Sequence, residues 1–437
     1  MYGHARPSAF IWSDPVEYLY AGGVLIVDLE EGEIEQEELS RDLISSRLGG
    51  AALNLALFED LKERDPLVIG TGPLTATMVP GGALAVATLR SPITNSIMHV
   101  PLVSSLGVEL KLAGFSFIVL HGRSEGPVHL WLHDEIADLL PADEMWGEDT
   151  WTTTDRIREE QGDERIQVLS IGPAGERGGS IGQAVVNFWS EGDKVGLGAR
   201  MGQMRLKALA CRGMGQLEVA DPERTLDLCI TEIRRAKEKL GPSKGIASLM
   251  PEADLKNIVA VHHRDSACSG CPWPCRSFSK FNEPPTVLGE GLREPGILLA
   301  DAPGFVSLLD RGFDAVGASR LMEAATRLGI EPVSASAQLP SDLSSAIGKL
   351  QELASARTGV GGVPWVKGAT RPDLFSPFAP NGGEAKDIAL AYILGICPRY
   401  AARMGMRPDF YVQILEAGAE IETSGEMLAS LASSIIR

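Results

Sequence analysis

The stretch DPERTLDLCITEIRRAKEKL, Asp221–Leu240, decides how the chain is to be read, because the spacing of apolar residues changes there. Asp221 is placed to cap a helix, Pro222 suits the first helical position, and Glu223 is an acid in the first turn. Behind them Leu226, Cys229, Ile230, Ile233 and Leu240 recur at helical spacing. Cys229 on that apolar face reads as a small core residue rather than a ligand. Upstream, short strands are expected at Val24–Leu29, Val86–Leu89, Phe115–Leu120, Val128–His133 and Ile166–Ile171, separated by turns rich in glycine and proline. The EEGE that follows the first strand has hairpin character. Downstream, helices are expected around Phe313–Leu328, Leu343–Ala356, Asp387–Leu394 and Glu426–Ile436, and the Gly- and Pro-rich stretch Gly359–Gly383 reads as irregular. The pattern predicts an α+β chain: a β-rich domain over residues 1–217, then a mainly α-helical part over 218–437. No internal repeat of solenoid type is evident.

In VHLWLHD the period-two alternation puts Val128, Leu130 and Leu132 on one strand face and His129, Trp131 and His133 on the other. Two histidines on one face could hold a metal. With no third ligand nearby, a half-solvated outer face is the expectation.

Four further cysteines carry the chemistry. Cys268, Cys271 and Cys275 lie in CSGCPWPC, and Cys397 lies far downstream in LGICPRY. A tight loop with thiolates at x2 and x3 spacing can serve three corners of a cubane iron–sulfur cluster, with a remote segment closing the fourth. Zinc is the competing ligand, although zinc ribbons usually present two paired CxxC hairpins. Pro272, Pro274 and Pro398 have no N–H to give a sulfur, which predicts a low-potential cluster. Trp273 is expected to shield it, while His262 and His263 read as surface or core residues before any proton site.

Composition excludes several classes. A net charge of −18 argues against nucleic acid or anionic lipid as partner. Six cysteines in 437 residues are too few for a disulfide-rich secreted scaffold. No apolar run approaches the ~18 residues of a membrane span. The first twenty residues lack the basic-then-apolar form of a secretory signal. A reduced, anaerobic cytoplasm is the expected setting.

Several segments together resemble one known family. GTGPLTATMVPGG (Gly70–Gly82), LRSPITNS (Leu89–Ser96), LGVELKLAGFSFIVLHGRSEGPVHLWLHD (Leu106–Asp134), SIGPAGERGG (Ser170–Gly179) and VGLGARMGQMRLKALACRG (Val195–Gly213) look like the aldehyde ferredoxin oxidoreductases. The resemblance is dense over residues 22–275 and thin afterwards. It implies a β-rich base of two sheets capped by helical domains. It also implies tungsten or molybdenum on two pyranopterins beside one four-iron cluster, whose four ligands fall at the four cysteines.

The departures from the family are systematic. Leu84 stands where the family has a phosphate-gripping arginine, and Pro101 where an asparagine helps hold the magnesium between the pterins. Lys194 replaces the arginine before GLGA and keeps its charge without the bidentate fork. Two motifs of the form Asp-x-x-Gly-Leu appear as Thr326–Glu331 and Tyr392–Cys397, with both pterin-binding aspartates lost and both glycines kept. No histidine follows His263, so the family's C-terminal proton carrier is missing; Glu290 or Glu294 is the weak stand-in for its glutamate.

Complete cluster ligands beside depleted pterin ligands imply an electron-transfer subunit carrying a 4Fe-4S cluster in a larger redox complex. Its partners would be a full-length relative or a ferredoxin-like or flavin subunit, in a homo- or hetero-oligomer. Residual phosphate binding would fall to Lys194, Gly196 and Gly198, whose loop amides could still cradle an anion. The alternative is an active tungsten bis-pyranopterin enzyme oxidising an aldehyde to a carboxylic acid, with ferredoxin as acceptor. No catalytic residue can be assigned.

Overall fold

The computed structural model describes residues 18–189, 193–284, 286–288, 291–356 and 385–436; the stretch Gly359–Gly383, expected to be irregular, lies outside them. Eleven strands of the first half form two mixed sheets. The first contains β1 (Val24–Asp28), β2 (Glu33–Glu37), β3 (Leu67–Thr71), β4 (Ala85–Arg90), β5 (Ile97–Leu102) and β6 (Phe117–His121), in the order β2-β1-β6-β3-β4-β5. The second contains β7 (Val128–His133), β8 (Ile136–Pro141), β9 (Gln167–Ile171), β10 (Ala184–Val186) and β11 (Leu206–Arg212), in the order β10-β9-β11-β7-β8.

The two sheets repeat one unit. A hairpin, β1–β2 or β7–β8, lies parallel to the unit's last strand, β6 or β11. That strand is antiparallel to β3 or β9, which pairs in turn with β4 or β10. Period-two alternation builds the layers. Leu25, Val27, Leu67, Ile69, Ile118 and Leu120 share one core with Leu130, Leu132, Leu169, Ile171 and Leu209 of the other sheet. The helices Leu106–Leu112 and Leu197–Met204 send Leu106, Leu110, Leu197 and Met201 into that same core.

The outer faces are also covered. Phe117, Val119 and Val68 pack with Leu53 and Phe58 of the helix Gly50–Asp60. Trp131, Val168, Ala208 and Ala210 pack with Ile157 of the helix Thr150–Gln161. This corrects the expectation of a half-solvated face on β7: His129 is 2% exposed and Trp131 8%. Burial lowers the His129 pKa to about 4, so the ring stays neutral there.

The second half opens with the expected helix, Pro222–Leu240, whose Asp221 carboxylate accepts from Arg224 N. Cys229 is fully buried, as its position on the apolar face predicts. Helices at Ala315–Leu328, Leu343–Ser355, Ala385–Leu394 and Gly425–Ser434 match the expected ones within two residues at most ends. The helical half also holds strands the sequence reading missed. β12 (His262–Ser266) and β13 (Arg276–Lys280) flank the cysteine loop, β14 (Thr286–Leu288) and β15 (Gly291–Arg293) form a hairpin, and β16 (Gly296–Leu299) pairs with β13. Polar residues dominate β12 and β13, which hides them from hydrophobic periodicity.

One buried cation fastens the first unit to what lies over it. Lys111, 2% exposed, donates Nζ hydrogen bonds to the carbonyls of Gly72 at 2.9 Å, Pro73 at 3.0 Å and Thr75 at 3.0 Å. Burial pushes its pKa down, yet three acceptors require the three protons of an ammonium. Lys111→Met should leave three buried carbonyls unpaired and cost on the order of 2–4 kcal/mol. Urea unfolding is the check; an unchanged midpoint would show that the Gly72–Thr75 turn stands without it.

Candidate functional site

Two loops, one from each unit, run from a strand through Gly-Pro into a tight turn and dock on the helical half. After β3, Gly72 lies so close to the turn at Leu394–Gly395 that a Cβ there would sit 2.1 Å from Gly395 N. After β9, Gly172 faces Leu328, where a Cβ would come within 2.5 Å of the carbonyl. Matching hydrogen bonds close each contact. Leu84 N donates to Gly395 O at 3.2 Å, and Gln183 N donates to Gly329 O at 2.8 Å. Gly329 and Gly395 both adopt positive φ, +67° and +83°, so these turns need glycine. That is why both glycines of the two C-terminal motifs persist in the sequence.

The first docking contact delivers a cysteine. Cys397 follows the Gly395 turn, caps the helix Pro398–Met404, and donates its N–H to Gly81 O at 2.9 Å. The other three sulfurs come from the connection between β12 and β13, where Cys271 N bonds Cys268 O at 3.1 Å in a tight turn. Cys275 and Cys397 are buried at 6% and 9% exposure, while Cys268 and Cys271 are half-buried and pack on the same core. All four thiols belong to one electrostatic neighbourhood. Burial raises the Cys271 pKa, and Cys268, Cys397 and Cys275 raise it further. Burial pushes Cys397 up to about 12, helped by Cys268 and Cys275, against backbone hydrogen bonding from Tyr400 and the positive charge of Arg399.

As free thiols Cys271 and Cys397 are therefore neutral near pH 7, and metal would have to displace their protons. Among the described residues, no group of three or more His, Cys, Asp or Glu side chains is drawn into a closed coordination shell. The donor set itself suits iron and sulfide: four thiols, two strands to hold the loop, and a tryptophan within it, Trp273, at 6% exposure. His262 and His263 lie on exposed β12, and His262 Nε2 pairs with Asp265 at 2.7 Å. His263 Nδ1 meets Arg264 Nη1 at 3.1 Å. Glu294 is tied to Arg264 and Lys280 on the surface, and Glu290 lies outside the described residues.

The second loop, where residual phosphate binding was expected, is filled by the chain itself. Asp193 accepts backbone N–H bonds from Ala184 at 3.1 Å, Val195 at 3.1 Å, Gly196 at 3.2 Å and Gly198 at 3.0 Å. Burial pushes its pKa up while these amides pull the other way. The amides that could have cradled a phosphate thus already hold a carboxylate. Gly198 also packs against Gln183, whose carbonyl carbon would lie 2.3 Å from an added Cβ.

Lys194 is taken as well. Its Nζ, with the side chain 1% exposed, pairs with Asp301 at 3.0 Å and Glu331 at 2.5 Å. Burial alone would lower its pKa, but the two carboxylates outweigh that and hold it above the usual lysine value. Both acids cap helices at the same time, Asp301 through Gly304 N and Glu331 through Val333 N and Ser334 N. Sequence reasoning missed Asp193, Asp301 and Glu331; the only signal was their position directly before a glycine-rich loop or a helix.

The positions of the lost pterin ligands are equally closed. Leu84 and Tyr392 are fully buried in the core that also receives Cys397. Thr326 is 1% exposed, with its carbonyl taken by the Thr150 hydroxyl at 2.9 Å. Pro101 sits inside β5, an edge strand that tolerates a missing N–H. None of these four side chains carries charge, and the residues present do not fit a bis-pyranopterin with its phosphates.

Comparison with known proteins places this geometry. Residues 24–213 match the aldehyde ferredoxin oxidoreductase N-terminal domain. A tungsten-containing aldehyde ferredoxin oxidoreductase of Pyrococcus abyssi is 33% identical over 256 residues, covering 56% of this chain and 41% of that protein. The WOR-like subunit of an aliphatic sulfonate oxidoreductase of Pyrococcus furiosus is 32% identical over 231 residues, covering 47% of this chain and 37% of that one. The chain thus spans about two fifths of the length of the curated relatives it matches. The benzoyl coenzyme A reductase active site complex BamBC shares the fold, with a TM-score of 0.76 at 17% identity over 96% of this chain and 89% of that one. Over residues 24–213 the chain carries the N-terminal domain of the aldehyde ferredoxin oxidoreductases.

Proposed function

We propose that this chain is an iron–sulfur electron-transfer subunit of its family, acting within a larger redox assembly and without a tungstopterin of its own. In this reading the chain divides near residue 218 into a two-sheet base and a helical part that carries the cluster. A bound 4Fe-4S cluster would supply one-electron transfer. The chain's own residues do the rest: Cys268, Cys271, Cys275 and Cys397 hold it, Trp273 within the loop excludes water, and the Gly72–Gly82 loop fixes the Cys397 corner.

One observation carries the proposal. Four thiols lie within electrostatic reach of one another, while the groups that would face a pterin are engaged with each other. Asp193 fills the amide nest and Lys194 is neutralised by Asp301 and Glu331. The relative named as a WOR-like subunit lends support, since its name marks it as one part of an assembly. Among the described residues, no helix is long and apolar enough to cross a membrane.

Metal analysis of anaerobically purified chain tests this directly. About four irons per chain, a brown colour and no tungsten, molybdenum or pterin are expected, and Cys397→Ser should lower the iron content and bleach the colour. One tungsten per chain would refute the relay reading, and zinc in place of iron would refute the cluster.

The lysine triad gives a second prediction. Lys194→Met leaves two buried carboxylates facing each other and should cost about 3–5 kcal/mol. Because the Lys194 pKa is raised in the folded chain, this contribution is complete at neutral pH and fades only above the ordinary lysine range. Denaturant midpoints of both chains at pH 7 and pH 10.5 or so would read it. An equal midpoint at pH 7 would mean the pair of acids does not depend on Lys194.

A further inference from the structure

We infer that Arg399 is the positioning residue that holds up the reduction potential of the centre formed by the four cysteines, an inference that rests on the cluster reading above. Arg399 is 3% exposed, two residues after Cys397 on the helix Pro398–Met404. Its Nη1 points at Cys275 Sγ at 3.9 Å, and its Nη2 donates to Ala300 O at 2.5 Å. Its charge also acts on the Cys397 thiol, two residues earlier in the chain. One guanidinium therefore acts on ligands from both cysteine segments, the loop and the remote residue.

The geometry fixes that charge in place. Ala300 is fully buried at the end of β16, and the next residue, Asp301, is locked to Lys194. The guanidinium cannot swing away without breaking its bond to a carbonyl anchored on both sides. Arginine does not deprotonate in proteins, so the positive charge is present in both redox states. Reduction adds one electron to the centre and so one negative charge beside a fixed positive one. Arg399 favours the reduced state more than the oxidised state, which raises the potential.

This effect runs against the three prolines. Pro272, Pro274 and Pro398 withhold N–H groups and push the potential down. Arg399 replaces that missing polarity with a full charge and a direct N–H···S contact. One backbone hydrogen bond to sulfur persists, to Cys397 from Tyr400, while the Cys271 thiol donates to Trp273 O at 3.6 Å. The loop sequence alone therefore predicts too low a potential.

The test is a redox titration of the iron-loaded full chain, followed by electron paramagnetic resonance, for wild type, Arg399→Lys and Arg399→Met. Arg403→Met, on an exposed position of the same helix, serves as control. Arg399→Met should weaken electron affinity about tenfold or more, a drop of at least ~59 mV for one electron. Arg399→Lys should fall by less, because it keeps the charge and loses the fork. Arg403→Met should leave the potential where it was. An iron-loaded Arg399→Met chain with an unshifted potential would overturn the inference. So would equal drops in Arg399→Met and Arg399→Lys. If Arg399→Met does not retain iron, loading becomes the readout: retention in Arg399→Lys supports the charge role, and equal loss in both overturns it. Wild-type chain that takes up no iron would instead sink the cluster reading itself, which keeps the two failures apart.

Discussion

The contact on which the site depends is the backbone-to-backbone approach of Gly72 to the turn at Leu394–Gly395. Two main chains come together with no room for a Cβ, and a hydrogen bond from Leu74 N to Leu394 O at 3.0 Å joins them. Everything that matters at the cysteines follows from this closeness. Cys397 lies two residues past Gly395, and its N–H reaches Gly81 on the same loop. The loop is held from below by Lys111 and from within by Thr75, whose hydroxyl bonds Leu84 O at 2.6 Å. A sulfur belonging to the helical half is thus positioned by the two-sheet half, through contacts that include no sulfur.

The same contact occurs twice, and the two copies have different occupants. In the first unit an ammonium, Lys111, satisfies the carbonyls of the Gly-Pro turn. In the second, Gly202 packs directly on the turn at Gly175, where an added Cβ would lie 1.9 Å from the carbonyl oxygen. One docking site leads to a cysteine and the other to a buried ion triad. Ala300 and Asp301 connect them: the carbonyl of one holds Arg399 and the carboxylate of the other holds Lys194. A charge beside the cysteines and a charge in the old phosphate loop are therefore braced by one peptide unit. One repeated scaffold thus positions two different groups, a cysteine in the first copy and an ion triad in the second.

Much of this was legible in sequence, and the reasons for success and failure are physical. Asp221-Pro222-Glu223 signalled its helix because capping chemistry is local. The spacing of the cysteines drew them into one candidate site, and Cys397 does reach the electrostatic surroundings of Cys268 and Cys275. The helix Thr150–Gln161 was missed because Thr150, Thr152, Thr153 and Thr154 are β-branched and read as strand or turn. Tertiary burial of Thr150, Thr153 and Thr154, with Asp149 capping through Trp151 N and Thr152 N, overrides that preference. The twofold repeat was invisible because pairing geometry persisted while side chains changed. Leu84 and Pro101 could be seen to differ from the family, but not what replaced their function. That answer lies in long-range partners such as Lys194 with Glu331, 137 residues apart.

The occupied amide nest argues against a merely decaying site. A phosphate loop that has lost its ligand faces unpaired N–H groups, each costing on the order of 1–3 kcal/mol when buried. Random loss would leave that cost in place. Here a single carboxylate satisfies four of the amides, and a lysine that could have attracted an anion is balanced by two acids that also cap helices. The loop is stable without any cofactor. The cysteine loop differs: Cys275 and Cys397 are buried, Cys268 and Cys271 half-buried, and the charged group placed against a sulfur is Arg399 at Cys275. The glycine-rich loop thus carries its own counter-charge in Asp193, whereas at the cysteines the charge beside the sulfur is that of a cation.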